Sequence, residues 1–184
     1  MQQKTSGNYL SKAVALTALA SGLLAFSGCG QSKDASSSAG NSVVGQQIQF
    51  SRNGGSEQYR TLGWSPTEQE FTWTEGNSAT VSLPIGDEKR ALKLRVMMNG
   101  LVKPPDLSFQ PVEVLANGKT IAQWQVKDLN EYTATIAANV IKPGGQLELE
   151  FRIPKANSPK ALGLSEDTRN LGICVRWLEV ATYK

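Results

Sequence analysis

Apolar and polar residues alternate along most of the chain after residue 47. The clearest segments have these apolar members: Ala79, Val81, Leu83 and Ile85; Leu92, Leu94, Val96 and Met98; Leu147, Leu149, Phe151 and Ile153. A period of two turns one side of a strand toward a core and the other toward solvent. No segment of this region has an apolar stripe at helical spacing. The pattern therefore predicts an all-β domain.

Turn-forming residues separate these segments. They are Gly86-Asp87, the run from Lys103 to Asp106, Asn117-Gly118, and Pro143-Gly144-Gly145. Glycine, proline, asparagine and aspartate favour the backbone angles that tight turns need. Eight or nine short strands with such spacing, each with one buried face, predict an antiparallel β-sandwich of two packed sheets, most simply a jelly roll.

The strongest hairpin signal is Asn117-Gly118. A strict two-residue turn would pair Val112 with Gln123 and turn Trp124 away from the valines. A three-residue turn with a bulge would pair Val112 with Trp124 and bury the indole. We expect the bulged register because it collects the apolar side chains on one face. An exposed Trp124 would instead be the leading candidate for stacking on a sugar.

The C-terminal segment from residue 171 onward predicts a long, mostly buried strand. Strict alternation assigns Leu171, Ile173, Val175 and Trp177 to one face, and Gly172, Cys174, Arg176 and Leu178 to the other. This position makes Cys174 a core residue.

The N-terminus has the three-part layout of a secretory signal. Lys4 and Lys12 precede an apolar run over 13–26, which is too short to span a bilayer as a mature helix. Ser27-Gly28 stands directly before Cys29, and this ending resembles the lipobox of bacterial lipoproteins. The resemblance implies that residues 1–28 are a signal peptide and that an acylated Cys29 anchors the protein to a membrane.

The same resemblance bears on location and domain organisation. Gly30 stands where an aspartate would resemble an inner-membrane retention signal, so a Gram-negative cell would place the protein on the outer membrane, facing the periplasm. The segment that follows is rich in serine and glycine, which predicts a flexible tether over 29–46. The β-sandwich domain is expected over 47–184.

Composition excludes several classes of function. The chain has no histidine, which removes the usual general base and the commonest zinc ligand. Removal of the signal leaves 17 cationic and 16 anionic side chains, a net charge of +1, which gives no electrostatic basis for nucleic-acid binding. We expect no cofactor. The sequence does not exclude a structural calcium ion, although the acidic residues lack EF-hand spacing.

Two stretches carry candidate binding chemistry. One is a loop after Ser158 that holds Asp167 and Arg169; the other, from Gly63 to Leu83, interleaves aromatic residues with carboxylates. The candidate ligand-binding residues are Trp64, Glu68, Trp73, Asp167 and Arg169. The loop charges either form a local salt bridge or contact a ligand, and the tryptophans either belong to the core or stack on a sugar. Glu68 and Arg169 are expected within about 4 Å of each other.

The two stretches together resemble a known module. Its marks are Gly63-Trp64-Ser65, Glu68, Trp73, Asn117-Gly118 and the spaced residues from Ser158-Pro159 to Leu171-Gly172. They resemble a β-sandwich module appended to membrane-bound glycosyltransferases and phosphoglycerol-transferase-like proteins of bacterial surface polysaccharides. The resemblance implies a fold like that of carbohydrate-binding modules.

No enzyme domain accompanies the module in this sequence. The resemblance therefore implies a membrane-anchored, non-catalytic lipoprotein of the bacterial cell envelope, one that binds a glycan or assists polysaccharide synthesis or export. One alternative is an envelope protein-interaction subunit. Another is a glycan hydrolase that pairs Glu68 or Glu70 with Asp167, since two carboxyl groups can supply acid and base.

Overall fold

The computed structural model describes residues 42–183. Cys29, the signal-like segment and most of the expected tether lie outside these residues. The strands are β1 Gln47–Gln49, β2 Arg60–Leu62, β3 Thr72–Glu75, β4 Ser78–Pro84, β5 Leu92–Gly100, β6 Gln110–Ala116, β7 Lys119–Val126, β8 Asn130–Ile136, β9 Gln146–Arg152 and β10 Leu171–Thr182. Two single-turn 3-10 helices span Ser56–Gln58 and Ala138–Val140. No helix within the described range is long and apolar enough to cross a membrane.

The strands form two antiparallel sheets. Sheet A has the order β1-β10-β5-β8, and β3 pairs with another part of β10. Sheet B has the order β2-β4-β9-β6-β7. From β3 to β10 the strands combine as β3-β10-β5-β8 and β4-β9-β6-β7, which is the jelly-roll arrangement of two four-stranded sheets. The predicted all-β sandwich is confirmed.

The core lies between the two sheets and consists of the alternating apolar residues. All twelve apolar members of the three segments named above are at most 2% exposed. Burying each large aliphatic or aromatic side chain contributes about 1.5–3 kcal/mol. The packed chain begins before β1, because Val43 is 2% exposed and the Gly45 N–H donates to the Val180 carbonyl at 2.7 Å. Residues 43 to 46 therefore pack with the strands that follow them.

The hairpin between β6 and β7 has the expected register. Val112 pairs with Trp124 and Val114 with Ala122. The turn itself is nevertheless the two residues Asn117 and Gly118, with φ angles of 48° and 82°. The register shift lies within the paired strands, between Val114 and Leu115. The bulge is thus in the strand and not in the turn, and Trp124 is half-buried rather than fully buried.

The predicted faces of β10 are right at Ile173 and Val175 and wrong beyond Val175. Val175 pairs with Met98, whereas Trp177 pairs with the adjacent Met97, so a register shift separates the two positions. A bulge moves the following residues to the other face. Leu178 consequently joins the core, and Trp177 is half-buried on the outer side of sheet A.

Candidate functional site

The charged residues singled out by sequence do come together. The guanidinium of Arg169 lies 2.6 Å from the Asp167 carboxylate and 3.6 Å from the Glu68 carboxylate. The expected contact between Glu68 and Arg169 is confirmed. Hydrogen bonds from Arg169 lower the pKa of Asp167, and the same contact raises the pKa of Arg169. Two carboxylates therefore neutralise one cation, with no surplus positive charge for a ligand.

The carboxyl groups of this loop are not arranged as a hydrolytic pair. Glu70 contacts Arg176 at 2.9 Å, and Glu68 and Asp167 share Arg169. A general acid near neutral pH needs a raised pKa, whereas the pKa of Asp167 is lowered by its hydrogen bonds from Arg169. The arrangement suits a salt bridge that fixes the loop.

The two candidate tryptophans point in different directions: Trp64 points toward the core and Trp73 points away from it. Trp64 packs on Phe50, with 5.0 Å between ring centroids, and its indole N–H donates to the Thr80 carbonyl at 2.9 Å. Trp73 is on β3 between the buried Thr72 and Thr74, so its side chain projects from the outer face of sheet A. The two indoles cannot form one sugar platform.

The outer side of sheet A carries an aromatic face, which we define as Phe71, Trp73 and Trp177. The rings of Phe71 and Trp73 meet edge to face at 6.2 Å. Arg95 lies 5.4 Å from the centroid of the Trp177 ring. All three aromatic residues are half-buried, and the Arg176 guanidinium lies 5.8 Å from the centroid of the Phe71 ring, so this face presents aromatic surface beside two arginines.

The outer side of sheet B forms a groove of about 800 Å³. Its lining is Asn77, Ser78, Phe109, Pro111, Val112, Glu113, Gln123, Trp124, Gln125, Glu150, Arg152 and Pro154. Alternation along four adjacent strands turns the polar residues outward. Cross-strand pairing then aligns Ser78, Arg152, Glu113 and Gln123 in one row across β4, β9, β6 and β7.

A hydrogen-bond network fixes the floor of this groove. The Arg152 guanidinium donates to the Glu150 carboxylate at 2.9 and 3.1 Å and lies 3.6 Å from Glu113. Hydroxyl groups complete both ends: Ser78 donates to Glu150 at 3.0 Å and Thr120 donates to Glu113 at 2.7 Å. Hydrogen bonds from Arg152 lower the pKa of Glu150. The network holds its side chains in place before any ligand arrives.

One part of the groove is apolar. Phe109, Pro111 and Pro154 contribute ring carbons to the lining. The Lys155 ammonium lies 5.9 Å from the centroid of the Phe109 ring. An aromatic ring among planar amide and carboxylate side chains is a surface that suits a sugar, which has apolar ring faces and polar edges.

The sequence interpretation missed this groove. Gln123, Gln125 and Arg152 were recognisable as outward residues of their strands, but the two glutamines lie on β7 and the arginine lies on β9. The strand order β4-β9-β6-β7 brings them together, and it is not readable from alternation. Phe109 stands in the turn-rich segment before β6 and carried no periodic signal.

Within residues 42–183, no group of three or more Asp, Glu, Cys or His side chains is placed to hold a metal ion. The structure thus identifies no position for the calcium ion that the sequence left open.

The chain matches no known protein family and no curated protein sequence. Among solved structures it is similar to the CBM36-1 domain of a multidomain xylanase from the hindgut metagenome of Trinervitermes trinervoides, at 11% identity and a TM-score of 0.44, covering 75% of this chain and 97% of that chain. The carbohydrate-binding module CBM36 in complex with calcium and xylotriose is 10% identical, with a TM-score of 0.39 and coverage of 73% and 98%. The CBM22-1 xylan-binding domain from Paenibacillus barcinonensis Xyn10C is 10% identical, with a TM-score of 0.45 and coverage of 75% and 94%.

Proposed function

We propose that the domain is a non-catalytic glycan-binding domain and that the groove on sheet B is its site. The observation that carries this proposal is the row of outward polar side chains beside Phe109, in a groove of about 800 Å³. This volume is in the range of ligand sites, roughly 300–1,000 Å³. None of the five candidate residues proposed from sequence lines this groove.

The groove offers the contacts that sugars use. Gln123 and Gln125 are exposed, and each amide supplies donors and an acceptor in one plane. Sugar hydroxyls can satisfy both kinds of group. Phe109 supplies a ring face for the apolar side of a pyranose.

The proposal is binding rather than hydrolysis because the two carboxylates of the groove share Arg152. A general acid must hold a proton at working pH, and the pKa of Glu150 is lowered. The lowered pKa keeps Glu150 ionised at neutral pH, so Glu150 is not suited to act as a general acid.

A glycan screen with a matched pair of variants tests this function. Native gels containing soluble polysaccharides should slow the protein in at least one polymer. Phe109→Ala should weaken that retardation by at least about tenfold, since burying one Phe contributes roughly 1.5–3 kcal/mol. Phe71→Ala, a half-buried Phe on the aromatic face, is the control. Loss of binding with Phe71→Ala alone would move the site to sheet A.

We also propose that the domain works as a lipoprotein of the bacterial envelope, anchored through Cys29 and associated with surface-polysaccharide synthesis or export. Support comes from the order of Lys4, Lys12, the apolar run and Ser27-Gly28-Cys29. Replacing Cys29 by Ser should release the protein from the membrane fraction. Membrane attachment that persists in this variant would contradict the anchor.

A second candidate function is protein interaction, which the half-buried Phe71, Trp73 and Trp177 favour. Aromatic residues are enriched at protein interfaces. In cells, a photo-crosslinking residue at the exposed Thr133 of sheet A should then capture an envelope protein. The same residue placed at Thr61, which is exposed on β2 of sheet B, should not capture it.

A further inference from the structure

The charged groups of the groove select a class of glycan. Three ionisable residues line it: Glu113, Glu150 and Arg152. Two of these are anions and one is a cation. Lys155 contacts the lining residue Phe109. With Lys155 included, the groove has two cations and two anions, so its net charge is zero. The groove therefore lacks the surplus positive charge that recognition of an anionic polymer requires.

The single guanidinium of the lining is already engaged. Arg152 directs Nε and Nη2 to the two oxygens of Glu150, at 2.9 and 3.1 Å, and its Nη1 lies 3.6 Å from Glu113. A uronate carboxylate or a phosphate would have to displace one of these partners. It would also stand beside two like charges, and like charges placed close together repel.

The remaining polar lining is uncharged. Asn77, Ser78, Gln123 and Gln125 supply amide and hydroxyl groups, which can both donate and accept. Hydroxyl groups of a neutral sugar match them without any charge compensation. We infer that the groove binds an uncharged glycan chain and rejects glycans that carry carboxylate or phosphate groups. This inference rests on the proposed function and narrows its ligand.

Three polymer classes in native affinity gels test the inference with the full-length protein. The probes are neutral polymers (xylan, galactomannan and hydroxyethylcellulose), an anionic polymer (polygalacturonate) and a cationic polymer (glycol chitosan). We expect retardation by at least one neutral polymer. Polygalacturonate should bind at least about tenfold more weakly, at the low ionic strength where electrostatic effects are largest. Glycol chitosan should not bind more tightly than the neutral polymer.

Charge variants test whether Glu113 and Glu150 cause the rejection of anionic glycans. Glu113→Gln with Glu150→Gln leaves Arg152 without a carboxylate partner, so binding of polygalacturonate should rise at least about tenfold and fall again in 0.5 M salt. Glu113→Gln alone, which keeps the close pair with Glu150, should give a smaller rise and serves if the double variant does not fold.

The outcomes distinguish the two proposals. Wild-type binding of polygalacturonate as tight as that of the neutral polymer, abolished by Phe109→Ala, would overturn the charge inference and leave glycan binding intact. Tighter binding of glycol chitosan would overturn it in the same way. Failure of every polymer class would overturn the proposed function itself, and the inference with it.

Discussion

The two outer faces of the sandwich each hold an arginine between two glutamates. On sheet A, Arg95 lies 2.7 Å from Glu131 and 2.9 Å from Glu179. On sheet B, Arg152 lies 2.9 Å from Glu150 and 3.6 Å from Glu113. The residue types are identical, so the difference between the faces lies in what the arginine connects and what surrounds it.

Arg95 connects three strands, because its partners Glu131 and Glu179 are on β8 and β10 while it is on β5. The Trp177 ring lies beneath it at 5.4 Å. Arg152 has its closer partner on its own strand, and its side chain is 49% exposed against 35% for Arg95. The same chemistry thus ties a sheet together on one face and lines an open groove on the other.

The largest expected effect concerns the thiol on the sheet A side. Cys174 is 3% exposed, with Trp73 and Asn99 as its cross-strand neighbours. Burial raises the pKa of its thiol to about 12. The thiolate fraction at pH 8 is then about a thousandfold below that of an ordinary cysteine. Native protein should resist iodoacetamide at Cys174, and protein unfolded in urea should react, as read by peptide mass spectrometry.

A matched pair of variants assigns this protection to the aromatic face. Trp73→Ala should speed native labelling of Cys174 by at least about tenfold, whereas Phe109→Ala on the groove side should not. Native labelling at the rate of an unfolded thiol would show that the sheet A face is open.

Two pairs of glutamines test where the ligand binds. Gln123→Ala with Gln125→Ala should weaken glycan binding about tenfold or more, because each lost hydrogen bond costs roughly 0.5–1.5 kcal/mol. Gln47 and Gln49 on β1 are the matched pair on sheet A, and their double Ala variant should bind normally. Isothermal titration calorimetry gives the affinities. An equal loss of glycan affinity in both double variants would show that the binding site is not confined to sheet B.

Arg95 should contribute more to the stability of the fold than Arg152 does. Arg95→Ala removes contacts that join β5 to β8 and β10, so the midpoint of urea unfolding should fall. Arg152→Ala should lower the midpoint less, because its better contact is with Glu150 on the same strand. Urea titrations of both variants with unchanged slope measure this difference. A larger loss for Arg152 would reverse the roles of the faces.

Acid should weaken both faces. Hydrogen bonds from Arg95 and Arg152 lower the folded-state pKa of Glu131 and Glu150 below the ordinary 4.5. The unfolded chain therefore binds more protons in this range. The stabilisation is present above pH 4.5 and is lost as the pH falls through the folded-state values. Glu131→Gln and Glu150→Gln should each flatten the loss of stability between neutral and acid pH.

The exposed Glu148 of β9 provides the control for this experiment. Glu148→Gln should leave the acid slope close to that of the wild type, as followed by urea unfolding at several pH values. An unchanged slope in the Glu131 and Glu150 variants would mean that their arginine contacts do not stabilise the fold.

The smallest effect is expected at the loop that the sequence emphasised. Glu68 and Arg169 are 3.6 Å apart, with side chains 40% and 35% exposed. Exposed ion pairs contribute about 0–1 kcal/mol, so Glu68→Gln should lower the free energy of unfolding by less than about 1 kcal/mol. A loss of several kcal/mol in urea unfolding would mean that this pair holds the loop to the sandwich.

Much of the architecture was predictable because alternation is a local property. Ala79 to Ile85 and Leu147 to Ile153 alternate without interruption, and each apolar member is buried. The register of β6 and β7 was also predictable, since only one pairing puts Val112, Val114 and Trp124 on the same face. Prediction failed at Trp177, where a bulge in β10 reverses the alternation.

The candidate site divides in the same way. Contact of Glu68 with Arg169 was predictable from two short polar stretches, each with a charge that needs a partner. The groove was not predictable, because Ser78, Glu113, Gln123 and Arg152 come from four segments and become neighbours only through the order of the strands in sheet B.

The sequence by itself determined the all-β class and most of the residues that enter the core, because the period of the apolar residues acts within each strand. It also determined the turn at Asn117-Gly118, where both residues adopt positive φ. Tertiary structure alone decided which outward side chains meet. Strand order and the bulge in β10 depend on packing between segments that are distant in sequence. They place the Arg95 cluster where it joins three strands of sheet A and the Arg152 cluster where it lines an open groove on sheet B.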